Sequence, residues 1–134
     1  YDQQVHIKNI DIPPLINEIQ YFLQNHYKEN ISLDFLSEQF HISKFHLSRE
    51  FKKYINLSPY EFLINTRIDK SKQLLLSTNL TISEISKQVG ISDPNNFLYI
   101  FKNREHISPS QFKKKFTYNK KEINPLKKMS DKKD

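Results

Sequence analysis

The sequence contains no cysteine and a single glycine, Gly90, in 134 residues. Without cysteine there are no disulfides and no thiolate metal sites, which suits a reducing cytosol. Glycine poverty argues against sheets rich in tight turns and against loops that cradle phosphate. Long apolar runs are missing too. Leu74-Leu75-Leu76 is among the longest, far below the roughly 20 residues that a membrane span needs. No signal peptide is visible, and residue 1 is Tyr rather than Met. A processed or engineered fragment is therefore expected, with any targeting signal missing. There is no nucleophile–base pair, no paired carboxylates in a cleft pattern and no phosphate loop, so an enzyme is not expected. The five histidines, His6, His26, His41, His46 and His106, have no metal-ligand spacing. No metal and no cofactor is expected.

What remains is dominated by Leu, Ile, Lys, Gln, Glu and Ser, with apolar residues at helical spacing. The fold expected is all-α. The chain is long enough to bury a core. Its formal net charge is +6 and its pI about 9.4, and the charge is unevenly placed. Residues 1–30 carry two basic and four acidic side chains, whereas residues 31–118 carry thirteen and eight. Residues 119–134 carry six lysines against three acids. A basic middle is what a polyanionic partner requires, although a solvated lysine-rich surface reads the same way on charge alone.

Residues 1–12 show no strong pattern and are expected to be a linker remnant. Pro13 and Pro14 suit a first helical turn. Leu15, Ile16, Ile19, Phe22, Leu23 and Tyr27 then repeat at three- and four-residue spacing, predicting a helix to about Asn30. Its mixed, slightly acidic polar face suits a scaffold. Ser32 reads as an N-cap before Leu33, Leu36 and Phe40, and that helix ends near His41. Another begins after Ser43 and carries Leu47, Phe51 and Tyr54. Ser58-Pro59 opens a helix to about Ser77.

The pattern then recurs. Thr81, Ile82, Ile85, Ser86 and Val89 match Ser32, Leu33, Leu36, Ser37 and Phe40 at an offset of 49. Past the turn the offset is 50: Phe97, Phe101-Lys102, Ser108-Pro109 and Phe112 match Leu47, Phe51-Lys52, Ser58-Pro59 and Phe62. One residue has been added around Asp93-Pro94. The expected organisation is a first subdomain over 13–77 including the connecting helix, a second over 78–118, and a disordered lysine-rich tail over 119–134.

Each repeat reads short helix, turn, second helix, the helix-turn-helix pattern. Helices that cross closely need a small residue at the crossing, and Ser37 and Ser86 sit there. The turn needs a residue tolerant of positive φ. Gly90 supplies it in one unit and His41 in the other. Ile42 and Ile91 are expected to plug the core beneath the turn, with Ser43 and Ser92 following as caps. The second helix must bury one face and offer the other. In the first unit Lys44, Phe45, Ser48 and Arg49 face outward as candidate base contacts. Arg49 suits guanine and Phe45 a thymine methyl. In the second unit the candidates are Asn95, Asn96 and Tyr99, the asparagines suiting adenine edges. Candidate phosphate contacts are Ser32, Ser43, Lys52, Lys53, Thr81, Ser92, Lys102 and Arg104. Arg67 is expected to form a structural ion pair rather than to touch phosphate. Asp93, which would repel phosphate, is expected to cap a helix or pair with a base such as Arg67. Lys113–Lys115 reads equally as a solvated face or a strip grazing DNA.

From Ile31 to Phe116 the chain resembles the AraC/XylS family of bacterial transcription regulators. The resemblance rests on Ile82-x-x-Ile85-Ser86-x-x-Val89-Gly90-Ile91, Phe97-x-x-x-Phe101-Lys102 and Ser108-Pro109-x-x-Phe112. Arg67, Ser71 and Leu74-Leu75 on the connecting helix are similar to the family's pattern as well. Ser37 and Ser86 stand where the family often has alanine, and Tyr99 where arginine is frequent. The resemblance implies seven helices, two helix-turn-helix subdomains on a long connecting helix, and a recognition helix from each in successive major grooves. It further implies cytoplasmic control of transcription, usually activation, with double-stranded DNA and RNA polymerase as partners. A missing N-terminal effector or dimerisation domain is implied as well, and the fragment itself reads as a monomer. The competing reading is a helical protein-interaction module that has lost DNA binding.

Overall fold

The computed structural model describes residues 12–123, with side chains as far as residue 117. Most of the expected linker and tail lie outside these residues. Seven α-helices are present and no strand occurs among the described residues. They are α1 (Pro14–Asn25), α2 (Leu33–Phe40), α3 (Lys44–Ile55), α4 (Pro59–Ser77), α5 (Ile82–Gln88), α6 (Pro94–Glu105) and α7 (Pro109–Ile123). The chain forms two compact units that divide between Arg67 and Ile68, inside α4. The last helix runs to Ile123, past residue 118, where a disordered tail was expected to begin.

The first unit closes around Ile16, Ile19 and Leu23 of α1, Leu36 of α2, Leu47 and Phe51 of α3, and Leu63 of α4. Each is 3% exposed or less, and burial of a side chain this size contributes about 1.5–3 kcal/mol. The three- and four-residue spacing in α1 and α3 sets these residues on one stripe, so each helix buries one face. Phe51 meets Phe62 edge-on, with ring centroids 5.7 Å apart. Tyr54, expected on the buried face, is half-buried and packs at the core's edge.

The first helix is shorter than the periodicity suggested. It stops at Asn25, not Asn30, and His26 leaves the helix with φ −126°. Asn25 Nδ2 donates to the Tyr21 carbonyl at 2.7 Å and the His26 ring lies 3.1 Å from the Phe22 carbonyl, and the segment beyond is held from forty residues away. Arg67 donates from Nε to the Tyr27 carbonyl and from Nη2 to the Glu29 carbonyl, both at 2.7 Å. Carbonyls in a continuing helix face along its axis and would not turn towards a guanidinium. Arg67 is thus structural, as expected, but its partners are backbone oxygens rather than a carboxylate, and Asp93 is not among them. It is 9% exposed, and burial pulls its pKa below the usual guanidinium value.

Both turns use the expected residues in the expected conformation. His41 has φ 55° and ψ 46°, and Gly90 has φ 91°. The serines before them do more than leave room. The Ser37 hydroxyl donates to the Ile42 carbonyl and the Ser86 hydroxyl to the Ile91 carbonyl. In return the Ile42 and Ile91 N–H groups donate to the Ser37 and Ser86 carbonyls, at 3.1 and 2.9 Å. A small side chain at the crossing is therefore also a hydrogen-bonded lock on the turn, which alanine would not provide.

The second unit packs Ile68 and Leu75 of α4, Ile85, Val89, Ile91, Phe97, Phe101 and Phe112, all buried. Phe101 lies edge-on to Phe112 at 5.6 Å. Ser71 and Ser86 are fully buried on α4 and α5. Thr81 and Glu84 form a capping box at the start of α5. The Thr81 N–H holds the Glu84 carboxyl below its ordinary pKa. Lys113 donates to the Thr78 carbonyl at 2.8 Å, so this member of the lysine run serves the fold.

Candidate nucleic-acid interface

Helix α3 starts from the Ser43 cap, whose hydroxyl accepts from the His46 N–H at 3.1 Å. With Leu47 and Phe51 turned inward, the opposite face carries Phe45, Arg49 and Lys52 at four- and three-residue steps, all exposed. Lys44 and Lys53 flank this stripe and are exposed; Ser48 is half-buried. Lys44 pairs with Asp34 at 2.8 Å, and that carboxylate raises the lysine pKa. Lys52 lies 3.8 Å from Glu61, and Lys53 sits over the Tyr54 ring. The face is basic but partly compensated. Ser48 opens instead onto an apolar cavity of about 260 Å³ with Leu23, Ile31, Leu33, Leu36 and Leu63 among its lining.

Helix α6 starts differently. Asp93, not Ser92, is the N-cap, accepting from the Asn95 N–H at 3.0 Å. Pro94 at the first helical position needs no such partner. Ser92 is exposed and caps nothing. It is the residue added relative to the first unit, so Asp93 stands in register with Ser43. That register puts Asn95 where α3 has Phe45, Tyr99 where it has Arg49, and Lys102 where it has Lys52. Asn95, Asn96, Tyr99, Lys102 and Arg104 are all exposed. Tyr99 and Lys102 line an open depression with Asn103 and His106. Ser32 and Thr81 are exposed N-caps of α2 and α5.

Sequence reasoning missed three features. Asn56 and His106, at φ 69°, close α3 and α6 in the left-handed conformation; the enrichment of Asn and His at positive φ was the available signal. Arg49 stacks on Phe45 at 5.0 Å, a pairing that the i, i+4 spacing permits. Lys72 of α4 bridges Glu105 of α6 at 3.2 Å and Asp69 at 3.5 Å. The residue in register with Glu105 is Ile55, so an ionic clasp in the second unit stands where the first uses an apolar contact. Both partners are under a third exposed. Glu105→Ala is expected to cost the second unit about 1 kcal/mol. A double-mutant cycle with Lys72→Ala, read by urea denaturation at low and high salt, checks that the coupling weakens with salt.

Two short helices crossing over a serine-locked turn, with the second helix exposing its polar face, define a helix-turn-helix DNA-binding unit, and this chain carries two. Residues 36–115 match the helix-turn-helix domain family. The chain is 34% identical over 122 residues to the lactose operon transcription activator of Staphylococcus xylosus, covering 91% of this chain and 42% of that protein. Among solved structures it is similar to the C-terminal domain of AraT, a response regulator from Geobacillus stearothermophilus. There the TM-score is 0.76 and the identity 29%, with 78% of this chain and 88% of that one covered. The C-terminal domain of the two-component response regulator yesN from Fusobacterium nucleatum subsp. nucleatum ATCC 25586 gives 0.70 and 36%, covering 72% and 95%. The chain belongs to the AraC-type family of helix-turn-helix transcription regulators. It spans less than half the length of curated relatives it matches, 42%, 34% and 37% of three of them. Among the described residues no helix is long and apolar enough to cross a membrane, and no cluster of ligating side chains is placed to hold a metal.

Proposed function

We propose that this module binds a specific double-stranded DNA site, with α3 and α6 reading successive major grooves, and that it activates bacterial transcription in the cytoplasm. The observation that carries the reading is the exposed stripe of α3, where Arg49 offers a guanidinium free of any hydrogen bond among the described residues. Arg49 reads guanine, Phe45 a thymine methyl, and Lys44 a neighbouring edge, while Ser48, half-buried beside the cavity, is left out of this reading. Asn95, Asn96 and Tyr99 read the second groove. Ser32, Ser43, Lys52, Lys53, Thr81, Lys102 and Arg104 hold phosphates, and Ser92 joins them as an exposed hydroxyl beside the α6 N-terminus. RNA polymerase and an N-terminal effector or dimerisation domain are the proposed partners, and the module alone is proposed to be monomeric.

The halves are unequal in this reading. Lys44–Tyr54 carries four bases and one acid, whereas Asp93–His106 carries two of each. The first unit supplies most of the salt-dependent affinity. The test begins with selection of duplexes from a random pool, followed by anisotropy titrations across salt. Arg49→Ala is expected to weaken binding tenfold to about a hundredfold and to relax preference at one guanine. Affinity that is flat with salt and indifferent to Arg49 would sink the DNA reading and favour a protein-interaction module.

A further inference from the structure

Phe45 is the most exposed large apolar side chain among the described residues, at 73%. It joins no core. Its ring lies under the Arg49 guanidinium, 5.0 Å from Cζ, inside the roughly 6 Å range of a cation–π contact. Among the described residues Arg49 has one ion-pair partner, Glu50, at 4.0 Å from Nε. That is the edge of ion-pair range, whereas the ring lies well inside the range of a cation–π contact. The guanidinium lies over the ring, and none of its N–H groups donates a hydrogen bond among the described residues.

We propose that Phe45 and Arg49 form a single reading unit for a guanine flanked by a pyrimidine that carries a 5-methyl group. The inference rests on the DNA-binding reading above and deepens it. Guanine offers N7 and O6 to a guanidinium fork, and the thymine methyl projects into the same groove beside it. The ring fixes the plane in which the fork approaches, and its exposed edge covers the methyl. A ring that only contacted the methyl would act independently of Arg49; a ring that also orients the fork makes the two contacts interdependent. The group recognised is the methyl itself, so 5-methylcytosine supplies the same contact with the ring, though its N4 donor replaces thymine's O4 acceptor. The second unit lacks this device, because Asn95 and Tyr99 occupy the matching positions. One half-site alone senses the methyl.

The test uses the whole chain and duplexes from the selection. Thymine beside the contacted guanine is replaced by deoxyuridine, which removes the methyl and nothing else. Wild type is expected to lose affinity about threefold to tenfold, and the same replacement in the other half-site to change nothing. Cytosine at that thymine position is expected to bind weakly and 5-methylcytosine to recover part of the loss. Phe45→Ala, with folding checked by circular dichroism, is expected to abolish discrimination between thymine and deoxyuridine. It should also blunt the effect of Arg49→Ala, so that the two losses are not additive. Additive losses, or wild type indifferent to the methyl while Arg49→Ala still relaxes guanine preference, would overturn the paired reading and leave DNA recognition standing. Absence of any salt-dependent duplex binding would overturn both.

Discussion

Arg67→Ala is expected to cost the first unit about 2–3 kcal/mol, since hydrogen bonds from a charged donor contribute more than neutral ones. The substitution removes two such bonds, to the Tyr27 and Glu29 carbonyls, together with the packing of a buried aliphatic stem. Those bonds hold the segment that follows α1, between Asn25 and the Ser32 cap of α2. Arg67→Lys is expected to recover only part of the loss, because one ammonium on a flexible stem does not reproduce a rigid fork. Guanidinium chloride or urea unfolding of the three proteins measures this. A loss under 0.5 kcal/mol, roughly that of an uncommitted surface substitution, would refute the structural role.

Ser86→Leu is expected to be as damaging in the second unit. Ser86 is fully buried where α5 crosses α6, and its hydroxyl holds the Ile91 carbonyl. Overpacking of a filled core costs about 1–3 kcal/mol, and the abandoned carbonyl adds to that. Ser86→Ala separates the two effects: it keeps the crossing open and loses the lock alone, at about 1 kcal/mol. Thermal unfolding ranks the series. If leucine proves no worse than alanine, the helices do not cross closely at this residue.

Much of the fold is legible because its determinants are local. Caps at Ser32, Ser43 and Thr81 act within three residues, and the left-handed positions at His41 and Gly90 follow from the residue types that tolerate them. The repeat supplied a second, independent copy of the same inference. What escaped was long-range or depended on register. The segment after α1 is held by Arg67, and periodicity alone cannot reveal a partner so distant in sequence. The choice of Asp93 over Ser92 is between two good caps, and Pro94 settles it by taking the first helical position. Ser86 reads as small from sequence, and only the turn geometry shows why a hydroxyl is useful there. On the α3 face, spacing placed Phe45 and Arg49 on one side, but their contact required coordinates.

Asp93 also bears on timing. A carboxylate already sits at the positive end of α6, while the matching end of α3 is capped by a neutral hydroxyl. An approaching polyanion meets attraction at one helix and a fixed negative charge at the other. On a duplex engaged as proposed, encounter is therefore ordered. In the function proposed above, the first unit would capture the backbone from a distance, and the second would settle only where short-range fit outweighs the local repulsion. Such a division lets capture stay fast on any sequence while dwell time reports on the site.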